Sequence, residues 1–383
     1  MVKLLKISAE GLMLFKDKVD IDFYTEQRVL ADNNEMVFNP FGKIYTNNVL
    51  SIVGINASGK TSLLKLISFI TRLVNGAPIN NIDSRDILVG SDNVFIESIF
   101  YNDQVGVCKL VTNIRKEVIN ELESRYIIAE EKLFIKNTKK IKTRRDILEF
   151  TKNDLYKERD NSAEFLQDDA SIAISLSKLS KIYVDDLIST TNRNYLQLIG
   201  DFPHELIAFL DPSIEKIEFN KKNGEAALKF YGKETIKVSN PMLFENYLSS
   251  GTIKGINVFI SAMVVFSEGG YLLVDELENH FNREIVATLI RFFMNKRVNP
   301  NGGTLIFSTH YSELLDEFDR NDSIFIVRNR GGISIQKLSN ILKRNDIKKS
   351  EAFKSDFLDG TVPSYESYIN LKRAIINNPI SEG

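Results

Sequence analysis

The sequence predicts an α/β fold in which a mixed central sheet is flanked by helices, and three observations predict it. Residues 49–64, VLSIVGINASGKTSLL, read as a β-prone apolar run, a glycine-bounded loop and an apolar run at helical spacing. Two later apolar runs, at 271–274 and 304–308, end in Asp275-Glu276 and Thr309-His310, and each precedes a helical run. The chain has 383 residues, 43% hydrophobic and 26% charged, which is enough to bury two or three lobes on one core system.

The bulk numbers also exclude some classes. A net charge of −2 sets up no global field for nucleic acid or an anionic membrane. The single cysteine, Cys108, allows no disulfide within the chain and agrees with a reducing compartment. Met1-Val2-Lys3-Leu4-Leu5-Lys6 lacks the apolar core of a signal peptide, and no run approaches the ~20 apolar residues of a membrane span. The expectation is a cytoplasmic protein without a membrane partner.

Residues 1–93 are expected to form the first part of the core. Leu4, Leu5 and Ile7, then Gly11, then Phe15, Val19, Ile21 and Phe23 read as a hairpin or meander. Residues 25–48, with Asn33-Asn34 and Asn39-Pro40, read as loop with room for one short strand. The strand at 49–53 and a helix carrying Leu63, Leu64, Leu66, Ile67 and Ile70 follow.

Residues 94–157 are expected to be an inserted antiparallel β lobe. Val94, Ile96, Ile99 and Tyr101, then Val105, Val107 and Leu110, mark strands, 126–135 reads as one long strand, and 146–150 is a candidate partner for it. The lobe carries Lys136, Lys139, Lys140, Lys142, Arg144 and Arg145. Their functional reading is a nucleic-acid backbone contact. Their plain reading is a solvated hairpin tip, which the acidic neighbours favour.

Residues 158–245 are expected to be a helical and β insertion. It reads as helical at 170–179 and 183–188 and ends in Asp211-Pro212. Strands follow around Ile214 to Phe219, Ala227 to Phe230 and Ile236 to Val238, with turns at 220–224 and Gly232. Residues 246–340 are expected to resume the core: a helix from about 249 to Phe266, Gly269-Gly270, the strand at 271–274, a helix from Arg283, and Gly302-Gly303. The strand at 304–308, a helix over 311–318, a strand at 324–327 and a Gly331-Gly332 hairpin with Ile333 and Ile335 close it. Residues 341–383 read as a polar helical tail.

The chemistry starts at Gly54-Ile55-Asn56-Ala57-Ser58-Gly59-Lys60-Thr61, which matches the phosphate-cradling pattern G-x-x-x-x-G-K-[ST] without departure. Gly54 and Gly59 free the backbone to approach a phosphate. The amides of Asn56, Ala57, Ser58, Gly59, Lys60, Thr61 and Ser62 can then converge on one anion. Lys60 adds a point charge and the Thr61 hydroxyl can ligate Mg²⁺. Asp275-Glu276 at the end of an apolar strand reads as the second half of an ATP site. Asp275 would hold Mg²⁺, usually through water, and Glu276 would polarise the attacking water.

Leu248-Ser249-Ser250-Gly251-Thr252 opens the helix that leads into that strand. Here the chain resembles the ABC-type ATPases, whose signature loop L-S-G-G-Q occupies this place. The chain keeps the serine and the second glycine and departs at the third and fifth positions. The resemblance implies that Ser249 and Gly251 cap the γ-phosphate bound by another subunit, so that a homodimer or higher homo-oligomer forms through ATP. It also implies that His310 contacts the γ-phosphate and senses hydrolysis. Glu278-Asn279-His280-Phe281 falls at the family's dimer-crossing loop. No clear glutamine loop follows the first helix, and Gln104 is a poor candidate for one.

The resemblance narrows on the order of these motifs and on the β insert with Glu131-Lys132-Leu133 and Asp211-Pro212-Ser213-Ile214. Together they are similar to the stand-alone ATPases of the overcoming-lysogenisation-defect (OLD) family, found in bacterial anti-phage and abortive-infection systems. This implies a P-loop NTPase fold of ABC-ATPase type, without the TOPRIM nuclease domain of the larger members, so any nuclease or toxin is expected on a separate polypeptide. The leading expectation is an ATP-driven switch holding or releasing such an effector. The alternatives are a DNA-maintenance ATPase similar to the SMC-like repair proteins, for which residues 115–210 are too short and irregular for heptad arms, and an ATP-binding scaffold with little turnover. A transporter motor is disfavoured, because Leu277 stands where that family has proline after the Asp-Glu pair.

Overall fold

A computed structural model describes the chain apart from residues 31–34, 121–122, 161–166, 191–195, 197–201, 220–224, 345–346, 356, 359–364 and 378–383. In chain order it runs β1 (Val2–Glu10), β2 (Val19–Asp22), β3 (Val37–Phe41), β4 (Ile44–Asn47), β5 (Val49–Val53) and α1 (Lys60–Val74). Then come β6 (Asn93–Asn102), β7 (Gly106–Val118), β8 (Ser124–Lys136), α2 (Arg144–Leu148), β9 (Leu155–Glu158), α3 (Ile174–Ser177), β10 (Val184–Asp186) and α4 (His204–Leu210). The strands β11 (Ile214–Phe219), β12 (Ala226–Phe230) and β13 (Ile236–Val238) precede α5 (Ser250–Glu268), β14 (Tyr271–Val274), α6 (Arg283–Phe293) and β15 (Thr304–Thr309). The chain continues with β16 (Ile324–Asn329), β17 (Ile333–Lys337), α7 (Leu338–Ile341), α8 (Lys349–Lys354) and α9 (Tyr365–Asn377).

The central sheet has the order β10-β14-β15-β5-β16-β17. The first five strands are parallel and β17 returns antiparallel to β16. β5, β14 and β15 are buried along their whole length, which is why they read as unbroken apolar runs rather than alternating ones. On one face lies α1, with Leu63, Leu64, Leu66, Ile67, Ile70 and Leu73 all buried. Each such side chain contributes about 1.5–3 kcal/mol of transfer free energy. Beyond α1, a second sheet of order β2-β1-β6-β7-β8-β9, antiparallel throughout, closes the same apolar cluster. On the other face α5 and α6 pack against β14 and β15. A smaller core joins β11, β12 and β13 to α4 and the start of α5. This is an α/β P-loop NTPase fold, and its parallel strands end at one edge, where such sheets bind ligands.

The structure changes several expected elements. The strands of 94–157 do not stand apart, because β6 pairs with β1 along its length and extends the opening meander into one sheet. Residues 146–150 do not pair with β8. A Thr143–Asp146 capping box starts α2 there instead, and β9 takes the edge of β8. Within the expected helix at 183–188, residues 184–186 form β10, because six residues cannot decide between the two periods and the open edge of β14 does. The polar 25–48 stretch holds the β3–β4 hairpin, and 311–318 is a short 3₁₀ turn over Ser312–Glu317. The expected turn at 220–224 lies outside the described residues. The helix α5 is long and apolar enough to cross a membrane, but 61% of that stretch is buried and it serves as a core helix.

The basic cluster is only partly a solvated tip. Lys136 is buried, donates to Asp146 O and Glu149 O and lies over the Phe150 ring, and Arg144 donates to Glu26 O. Lys3 is likewise buried. Its ammonium donates to Gly269 O and Gly302 O beside Phe38 and Tyr271, and burial pulls it down to about 7.

Candidate active site

The site forms where β5, β14 and β15 end. Val53 leads into the phosphate loop, Val274 into Asp275-Glu276 and Thr309 into His310, and β15 separates the other two strands. The loop turns through Ala57 at φ 60° and Gly59 at φ 103°. At Gly59 a side chain would be strained and would also meet the Ile333 side chain, 2.5 Å from where its Cβ would lie. Gly59 is the N-cap of α1 and supplies no side chain to the helix, so the first-turn amides stay available for an anion.

Lys60 is buried and curls back over the loop, its ammonium donating to Gly54 O at 2.9 Å and Ile55 O at 3.1 Å. Burial pulls it below the ordinary lysine value, against the opposing pull of Asp275, Glu278 and Glu276. Thr61 Oγ1 donates to Asp275 Oδ2 at 2.7 Å, and Ser308 Oγ donates to the other oxygen of Asp275. Ser308 Oγ in turn accepts from Glu276 N at 2.8 Å. Glu276 stands at φ 47°, and its carbonyl and that of Asn279 each accept from Lys254 Nζ of α5 at 2.9 Å. Burial draws Lys254 down to about 8.

A cleft of about 400 Å³ opens at this edge. It is lined by Asn56 to Ser62, Glu276 and His310, together with Leu14, Asn329 and Ile333. Asn329 Nδ2 donates to Ala57 O at 3.2 Å, and Ile333 is tied to the opening meander by Ile333 N to Leu14 O. Neither Asn329 nor Leu14 carries a motif that a single sequence could reveal. Gln104 lies in the β6–β7 turn, donating to Leu179 O at 3.3 Å, and does not line the cleft.

The residue match is decisive. The family model described as "AAA domain, putative AbiEii toxin, Type IV TA system" matches residues 49–316. The chain belongs to this family. The matched span runs from β5 of the AAA domain through His310 and so takes in the whole cleft apart from its rim at Leu14, Asn329 and Ile333. Among solved structures, the chain is similar to an ATP-binding cassette in a dimeric, post-hydrolysis state bound to ADP and Pi, at 13% identity and a TM-score of 0.30, covering 88% of this chain and 99% of that one. No curated protein matches it.

Ser249 and Gly251 do not line the cleft of their own AAA domain. Ser249 is exposed and is the N-cap of α5, its hydroxyl accepting from Thr252 N at 3.0 Å. A Cβ at Gly251 would lie 2.5 Å from His280 O, so this glycine lets the start of α5 sit against the 276–281 loop. Ser250 Oγ lies 3.2 Å from His280 Nδ1. The unforeseen member of the site is Glu278. It is buried, and its Oε1 accepts from His310 N at 2.8 Å and sits 2.9 Å from His310 Nδ1.

The donor set suits a magnesium–phosphate complex better than a dedicated metal cage. No cluster of three or more His, Cys, Asp or Glu suited to a metal occurs among the described residues. A hydroxyl and a carboxylate, Thr61 and Asp275, share one corner, which leaves the remaining oxygen ligands of a hard cation to phosphates and water. The Ser58 hydroxyl, buried without a hydrogen-bond partner, is a further orphan in the phosphate loop.

Proposed function

We propose that the chain binds and hydrolyses ATP with Mg²⁺ and dimerises around it head to tail. Lys60, Thr61, Asp275 and Glu276 of one copy bind and cleave the nucleotide, and Ser249 and Gly251 of the other cap the γ-phosphate. In this reading the ATPase is of ABC type and OLD-like. It acts in the bacterial cytoplasm as a switch on a separate nuclease or toxin in anti-phage defence.

The observation that carries the reading is that one cleft gathers the phosphate loop, Glu276 and His310, with Asp275 bonded to Thr61, while the exposed Ser249 faces elsewhere. A second support is the family description, which places such AAA domains in a type IV TA system. The leucine and isoleucine on the rim, Leu14 and Ile333, offer an apolar place for the base.

The chemistry follows from the residues. The loop amides and Lys60 bind the β- and γ-phosphates, replacing the Gly54 and Ile55 carbonyls as partners of the ammonium. Thr61 and Asp275 would hold Mg²⁺, which when bound neutralises charge on the phosphate oxygens. Glu276 accepts a proton from the water that attacks the γ-phosphorus, the bond to the β-phosphate oxygen breaks, and ADP and phosphate leave. His310, which lines the same cleft, contacts the γ-phosphate.

The test replaces Glu276 by Gln and measures mass in solution with MgATP. The expected result is a stable ATP-dependent dimer with turnover lost. A chain that stays monomeric with ATP bound would overturn the head-to-tail reading.

A further inference from the structure

The Glu278 side chain sits 1% exposed beneath the cleft, and its carboxylate spends one oxygen on a single neighbour. Oε1 takes the backbone N–H of His310 at 2.8 Å and faces the Nδ1 of the same residue at 2.9 Å. Its Oε2 is buried without a hydrogen-bond partner. A buried carboxylate is costly, and here its charge also acts on Lys60 and Lys254. A group kept for packing alone would be better served by an apolar side chain. The geometry instead fits a group that fixes a ring. A carboxylate only accepts, so it holds the imidazole proton on Nδ1 and leaves Nε2 as the nitrogen turned to a ligand.

We propose that Glu278 is the positioning residue of His310. It clamps the backbone and ring of that residue together, so that Nε2 meets the terminal phosphate in one tautomer and one orientation. The proposal rests on the reading of His310 as a γ-phosphate contact. It also ties the two strand ends: Glu278 belongs to the loop that carries Glu276, and His310 to the end of β15, so the water-activating carboxylate and the phosphate contact are held in one frame.

The test uses the full chain and four variants, Glu278→Leu, Glu278→Asp, Glu278→Gln and His310→Ala, with Glu278→Leu also made in the His310→Ala background. Turnover, MgATP affinity and the ¹⁵N spectrum of the His310 ring are measured. E278L and E278D are expected to lower kcat about ten- to hundredfold at unchanged MgATP affinity, by analogy with the loss when the hydrogen-bond partner of a metal-bound histidine is removed. E278D keeps the charge and withdraws the acceptor, so it reports position even where E278L folds poorly. E278Q keeps an acceptor oxygen and is expected to hold the proton on Nδ1 and to lose less kcat than E278D. In the H310A background E278L is expected to add nothing. E278D at wild-type kcat, or an E278L effect undiminished in the H310A background, would overturn the proposal. H310A at wild-type kcat would instead overturn the γ-phosphate reading on which it rests.

Discussion

Lys254→Met is the perturbation whose size the structure sets most directly. Lys254 is 3% exposed, and its ammonium is the donor to both the Glu276 and the Asn279 carbonyls. Removing it leaves two carbonyls short of a donor, at about 1–3 kcal/mol for each one that water cannot reach. The pH dependence is sharper. Burial lowers the lysine from its ordinary 10.5 to about 8 in the folded state, so between those values the unfolded chain holds a proton that the folded chain has released. The unfolding free energy of the wild type therefore rises with pH across this window, and the full charge penalty is present below pH 8. At about 1.36 kcal/mol per unit, the lysine contributes about 2 kcal/mol more stability at pH 10 than at pH 8. Methionine cannot titrate. The destabilisation by K254M is therefore expected to widen by about 2 kcal/mol over that range in paired urea titrations, with every other titrating group cancelling between the two proteins. Because the same contacts hold Glu276 at φ 47°, turnover is expected to fall more than nucleotide affinity. A gap between the two stability curves that stays flat with pH would refute the assignment of that buried ammonium.

Two further outcomes follow from the phosphate loop. Gly59→Ala puts a side chain at φ 103° and against Ile333, so a loss of about 1–2 kcal/mol in stability from the backbone alone is expected by thermal unfolding, with weakened binding of a fluorescent nucleotide; trimming Ile333 to Ala in the same chain restores space but not the backbone cost. Thr61→Ala removes the hydroxyl beside Asp275, and the Mg²⁺ concentration for half-maximal turnover is expected to rise about tenfold while nucleotide binding in EDTA holds steady.

The parts of the molecule legible in the sequence are those where local chemistry and fold agree. The phosphate loop states its own backbone needs, and the all-apolar β5, β14 and β15 announce strands buried on both faces. Residues 184–186 were not legible as a strand because the deciding partner, β14, lies far along the chain. Lys3 and Lys136 look like surface charges in a sequence and are buried, since their hydrogen-bond acceptors are backbone carbonyls that any residue supplies. Glu278 was hidden for the same reason. Read along the chain it falls in the segment that the resemblance assigns to dimer crossing, and only the adjacency of β14 and β15 brings His310 to it.

The 276–281 loop is held from two sides, and this links the nucleotide site to the surface that Ser249 occupies. From β15, Ser308 takes Glu276 N and His310 engages Glu278. From α5, Lys254 takes the Glu276 and Asn279 carbonyls, Ser250 meets His280, and Gly251 leaves no room between helix and loop. The helix N-terminus and the loop are thus packed without slack, and close-packed contacts of this kind transmit a displacement rather than absorb it. Seating Ser249 on a partner's phosphate would press on the backbone that sets Glu276 at its left-handed φ. A Gly251→Ala chain, in which the helix must back away from His280 O, is for that reason expected to disturb hydrolysis at its own Glu276 as well as capping of its neighbour. Mixed dimers with one altered copy would resolve the two effects, because a defect confined to the neighbour's site would mean that the loop does not carry the signal.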